Sequence, residues 1–152
     1  MPDASAPQPT RLTDYRPPEF LVDTVDLVFD LGEADTRVVS HLTVHRNPDA
    51  ANPSAPLRLD GEELELVALA LDGKPLAQGD YRIEPDGALI VPEVPESFAL
   101  DIETRIDPAG NTALSGLYIS GGNFCTQCEP EGFRRITYFL DRPDVKIGRA
   151  HV

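Results

Sequence analysis

Positive charge is scarce in this 152-residue sequence: 13 Lys and Arg stand against 26 Asp and Glu, a formal net charge of −13. A field of that sign repels phosphate backbones and anionic lipid headgroups, so neither nucleic acid nor a membrane surface is expected as a partner. Long hydrophobic runs are also missing. No apolar stretch approaches the roughly 18 to 20 residues that a spanning helix needs. Met1–Pro18 has no apolar segment of the kind an export signal carries, and the expected location is the cytoplasm. Two cysteines make no disulfide framework, and a cytoplasmic setting would keep them reduced. Stability is therefore expected from packing, and 41% hydrophobic content is enough for the core of one ordinary domain.

Proline is plentiful. Its 15 copies are about twice the usual share of roughly 5%, and they fall between apolar runs, which favours short strands over long helices. Residues 1–12 read as a mobile leader. From Leu21 the odd positions Leu21, Val25, Leu27, Phe29 and Leu31 are apolar, with Asp23 the exception, a half-buried strand by its period of two. After the turn-like Gly32–Thr36, Val38, Leu42 and Val44 share one face and Arg37, His41, Thr43 and His45 the other, so the pair predicts an antiparallel hairpin. Asp60-Gly61, Asp72-Gly73 and Asp86-Gly87 are spaced for successive hairpins. Glu62–Leu71 has helical propensity but is read as a strand, because its flanking turns leave about ten residues. Phe98, Leu100, Ile102, Thr104 and Ile106 alternate with polar residues and predict a strand with one wet face. The expected fold is all-β.

Chemistry concentrates after Asn111. Cys125-Thr-Gln-Cys128 is a CxxC, which elsewhere marks half a zinc site or a redox dithiol. The remaining ligands do not add up, since His41 and His45 on one strand would stand about 13 Å apart at roughly 3.3 Å per residue. A thioredoxin-like role would need a βαβ setting that the pattern does not provide. The cysteines are read as structural and no metal ligands are assigned. Gln127 and Glu129, two apart, would point to one side of an extended segment and could present a carboxamide and a carboxylate to an ammonium group. Against that, Glu129 is one acid among 26. Arg134, Arg135, Asp141, Arg142 and Asp144 around Ile136, Tyr138, Phe139 and Leu140 read as structural, with Asp141 and Pro143 suited to a helix start.

The run Thr126-Gln-Cys-Glu-Pro-Glu-Gly-Phe-Arg-Arg-Ile-Thr-Tyr-Phe-Leu-Asp-Arg-Pro-Asp-Val145 resembles the segment that ends the amino-terminal domain of bacterial aminopeptidase N, of the M1 zinc metallopeptidases. Asn111-Thr-Ala-Leu-Ser-Gly-Leu-Tyr118, Leu59-Asp-Gly61 and Asp14-Tyr-Arg-Pro-Pro-Glu-Phe20 extend the resemblance in family order, from Leu12 to Val145. It implies a saddle-like antiparallel β-sandwich over 13–145. It also implies that Gln127 and Glu129 help to hold the free α-amino group of a peptide substrate. Pro130 departs from the family, which carries a small residue there, and leaves both side chains intact.

The family's zinc is held by a His-Glu-x-x-His helix and a further Glu, and an exopeptidase segment Gly-x-Met-Glu-Asn precedes them. Neither motif occurs here, and the single methionine is Met1. The resemblance thus implies part of a zinc aminopeptidase that removes amino-terminal residues from peptides. This part would be inactive and zinc-free alone, with peptide substrates and the catalytic domain of the same chain as its partners. Residues 146–152 depart abruptly from the family. Ile147-Gly-Arg-Ala-His-Val152 is what a common sequencing adapter encodes in one frame, so the tail is expected to be non-native. The alternative is a free-standing acidic β-sandwich interaction module without catalytic activity, binding through its edge strands.

Overall fold

The computed structural model describes residues 11–145. Two short 3-10 turns, Leu12–Asp14 and Phe133–Arg135, bracket ten strands. In chain order these are β1 (Phe20–Asp30), β2 (Thr36–Arg46), β3 (Leu57–Leu59), β4 (Glu65–Leu71), β5 (Lys74–Pro75), β6 (Arg82–Ile83), β7 (Leu89–Val91), β8 (Ser97–Ile106), β9 (Gly116–Ser120) and β10 (Asn123–Gln127). The expected leader lies outside the described residues except for Arg11 and Leu12, and the expected non-native tail lies wholly outside them. No described helix is long and apolar enough to cross a membrane.

A five-stranded antiparallel sheet, ordered β1-β2-β8-β4-β5, packs against a three-stranded sheet, β3-β7-β6. This is the all-β antiparallel sandwich expected. The alternation of β2 and β8 dictates the inner layer: Val38, Leu42, Val44, Leu100 and Ile102 are buried, and Leu57, Leu59, Leu89 and Val91 meet them from the smaller sheet. The outer face of the large sheet is wet and cross-paired, with Arg37 on Glu103 at 2.6 Å and His45 on Asp23 at 2.9 Å.

Two strands interrupt their own period. β1 carries a bulge between Val22 and Thr24, so Val22 opposes Val44 while Val25 opposes Leu42. Asp23, the exception in the alternation, is the extra residue at which the core face passes from even to odd positions. β4 does the same between Leu66 and Ala68, which lets Leu66 and Leu69 both face β8's buried side. Glu62–Leu71, ambiguous by its helical propensity, is over 65–71 the strand expected.

Two of the three Asp-Gly turns close hairpins, Asp72-Gly73 between β4 and β5 and Asp86-Gly87 between β6 and β7. Asp60-Gly61 does not. It joins β3 to β4 across the two sheets, and Asp60 pairs instead with Phe139. Gly61 answers a packing demand, because any Cβ there would run into the Tyr138 ring and the Gly87 carbonyl.

Candidate functional site

The hairpin β9–β10 turns at Gly121-Gly122 and ends with Gln127 opposite Gly116. The chain then leaves the strand at Cys128 and folds back, Gly132 N–H donating to the Cys128 carbonyl at 2.9 Å. This reversal brings Gly132 against the backbone of Gln127 and within 2.8 Å of Ser115 Oγ as measured from an idealised Cβ, so only glycine fits. The Glu129–Pro130 peptide is cis, and Glu131 has φ of 60°. Strand β10 ends at Gln127, so the extended geometry on which Gln127 and Glu129 would share one side stops there.

The two residues meet in another way. Gln127 Nε2 donates to the backbone carbonyl of Glu129 at 2.5 Å, which braces the turn and leaves the Glu129 carboxylate outside that bond. Glu129 faces a cavity of about 640 Å³ whose walls include Cys128, Glu131, Phe139, Arg142 and Val145. Gln127 is not among its lining residues.

The cavity's frame comes from the segment after the turn. Phe139 is fully buried and meets Phe133 edge-on, with ring centroids 5.0 Å apart. Arg134 clamps Asp141 with Nε to Oδ2 at 3.0 Å and Nη2 to the backbone carbonyl at 2.9 Å, and its guanidinium also lies 3.8 Å from Glu131. Burial pulls the Arg134 pKa down, but the Asp141 bond and the charges of Asp60, Asp141 and Glu131 outweigh it and hold the group above its ordinary range. Arg135 pairs with Glu62 at 2.6 Å. The mixed-charge cluster is thus paired internally through Arg134–Asp141 and Arg142–Asp144 and to the sandwich through Arg135–Glu62, while Asp141 and Arg142 also line the cavity. Asp141–Val145 forms a turn in which Val145 N–H donates to Arg142 at 3.1 Å, and any helix beyond it lies outside the described residues.

Cys125 and Cys128 are both free. Burial first, and then the charges of Asp141 and Glu129, push the Cys128 thiol up, the opposite of what a nucleophilic or redox cysteine needs. His41 Nδ1 lies 2.5 Å from Asp101 and His45 Nδ1 2.9 Å from Asp23, so each ring is taken up by a neighbouring strand's carboxylate. Among the described residues no group of three His, Cys, Asp or Glu side chains is placed to hold a metal ion. The donor set among the described residues does not fit zinc.

Sequence reasoning missed a clasp between the two ends of the described chain. Tyr15 Oη donates to Asp144 Oδ2 at 2.9 Å, and Arg142 Nη2 donates to the Arg16 carbonyl at 2.8 Å. Tyr15, Arg16, Arg142 and Asp144 all sit in the runs that carry the family resemblance, but nothing in the sequence marks them as partners.

No family model matches the chain. It is 52% identical over 139 residues to aminopeptidase N of Caulobacter vibrioides and 48% identical over 141 residues to aminopeptidase N of Escherichia coli, each across 91% of this chain. The chain spans 16% and 15% of those relatives' length. Among solved structures, Legionella pneumophila aminopeptidase A in complex with aspartic acid is 32% identical, with a TM-score of 0.80 over 89% of this chain and 16% of that one. The M1 zinc metallopeptidase of Deinococcus radiodurans, 19% identical with a TM-score of 0.66 over 86% of this chain and 31% of its own, shares the fold. The chain belongs to the M1 aminopeptidase family and corresponds to its amino-terminal β domain.

Proposed function

We propose that this chain is the amino-terminal domain of a zinc aminopeptidase that removes amino-terminal residues from peptides, and that it helps to bind the free α-amino group of the substrate through Gln127 and Glu129. The observation that carries this reading is Glu129 on the wall of the 640 Å³ cavity, at the end of a turn braced by Gln127. A carboxylate that only a chain end can reach selects a terminal ammonium by a charge-assisted hydrogen bond. The same bond would discriminate against an acylated amine, which has lost the charge and keeps a single N–H. Gln127 contributes by fixing the direction of the turn that carries Glu129, its Nε2 donating to the Glu129 carbonyl.

Zinc, in this proposal, is held by a part of the protein that this chain does not span. It would supply the Lewis acid and the activated water for peptide hydrolysis. The chain alone is then inactive and metal-free, and its partners are the catalytic domain of the same protein and the peptide substrate. Its place is the cytoplasm, where free thiols such as Cys125 and Cys128 stay reduced.

The test is Glu129→Ala in the full-length protein. Loss of the charge pair that Glu129 makes with a bound amino end, once substrate and catalytic domain cover it, should weaken transition-state binding of free-amine substrates by about 2–5 kcal/mol in kcat/KM. An unchanged kcat/KM removes Glu129 from the site.

A further inference from the structure

The cavity wall that carries Glu129 comes from 128–131, and a second wall comes from 141–145. The second wall is tied from outside the sandwich. Tyr15 Oη bonds Asp144 at 2.9 Å, Arg142 forks onto Asp144 with Nε and Nη2 at 2.9 and 2.8 Å, and the same Arg142 reaches the Arg16 carbonyl. We propose that Tyr15 is a positioning residue for the substrate cavity, its hydroxyl holding Arg142 through Asp144 and so setting the wall that a bound amino end meets. The proposal rests on the reading of Glu129 given above.

Three features support a positioning role over a purely structural one. Tyr15 is 51% exposed, so its ring adds little to the core. Its partner Asp144 does not line the cavity, but the residues on either side of it, Pro143 and Val145, do, together with Arg142. A change at the clasp is therefore delivered to the cavity within one residue. The hydroxyl is also placed to donate, since it reaches Asp144 Oδ2 at 2.9 Å and a phenol keeps its proton at neutral pH. Small displacements of a binding wall cost a substrate its alignment without unfolding anything.

The experiment uses the full-length protein, with alanine p-nitroanilide as substrate, and compares Tyr15→Phe, Asp144→Asn, the double variant and Glu129→Ala. Tyr15→Phe should raise KM about two- to tenfold, with kcat and Tm held, as expected for one hydrogen bond to a charged partner. The double variant should raise KM no further than Asp144→Asn alone, since the hydroxyl acts through that carboxylate. An unaltered KM in Tyr15→Phe, or a fall in kcat that tracks a lowered Tm, overturns the proposal. If Glu129→Ala moves KM and Tyr15→Phe does not, the clasp alone fails. If Tyr15→Phe moves KM and Glu129→Ala does not, the clasp stands as a wall contact and the amino-group reading fails.

Discussion

Asp60 and Phe139 exchange both of their backbone hydrogen bonds, at 2.8 and 3.1 Å, across an isolated antiparallel bridge. The Asp60 carboxylate then accepts the Asp141 N–H at 3.2 Å and lies 4.0 Å from Arg134. One residue at the end of β3 thus anchors the segment that walls the Glu129 cavity to the core of the sandwich.

Gly61 makes this approach possible, because its missing side chain is what allows the Tyr138 ring to lie on the backbone. Gly61→Val should destabilise the chain by about 1–3 kcal/mol through overpacking. Urea denaturation followed by circular dichroism measures it; a midpoint within error of the unmutated chain would show that the ring can move aside.

Phe139 is fully buried between the bridge and Phe133. Phe139→Ala removes a whole aromatic side chain from a packed site and should cost about 3–5 kcal/mol. The exposed Leu114 is the control, since Leu114→Ala should change the denaturation midpoint little.

The fold was legible where alternation is strict. β2 and β8 keep one parity along their whole length, so their buried positions follow from a period of two. β1 and β4 change parity at bulges, and a bulge is visible in sequence only as an exception such as Asp23. Asp60-Gly61 reads like the other Asp-Gly turns because local sequence holds no trace of the Tyr138 ring. The site was hardly legible from residue chemistry: Glu129 is an exposed acid on a polar turn, and only its run of neighbours singled it out. The Tyr15–Asp144 bond spans 129 positions and leaves no periodic mark.

Glu103 supplies a pH prediction. The bond from Arg37 and that residue's charge lower its pKa against the opposing effect of burial. A carboxyl whose pKa is depressed on folding contributes stability above its unfolded value, about 4.3 for Glu, and loses that contribution as pH falls through the folded value. Glu103→Gln should therefore denature at lower urea than the unmutated chain at pH 7, with the two midpoints converging as the pH falls below about 4. A difference that persists unchanged to pH 2 would assign it to packing and not to charge.

The two thiols should behave differently, and the difference reports on the site. Cys128 is held above the ordinary thiol range by burial and by the charges of Asp141 and Glu129, so at pH 8 it should be alkylated by iodoacetamide more slowly than a free cysteine. Glu129→Gln removes one of the two negative charges without removing the turn, and it should speed alkylation of Cys128 while leaving Cys125 unchanged. Labelling followed by peptide mass spectrometry separates the two positions. Equal rates at Cys128 with and without the Glu129 charge would mean that the carboxylate does not act on the thiol, and would count against its placement beside the cavity. Ready formation of a Cys125–Cys128 disulfide in a glutathione buffer would be more serious, because it would restore the redox reading of the CxxC that burial of Cys128 argues against.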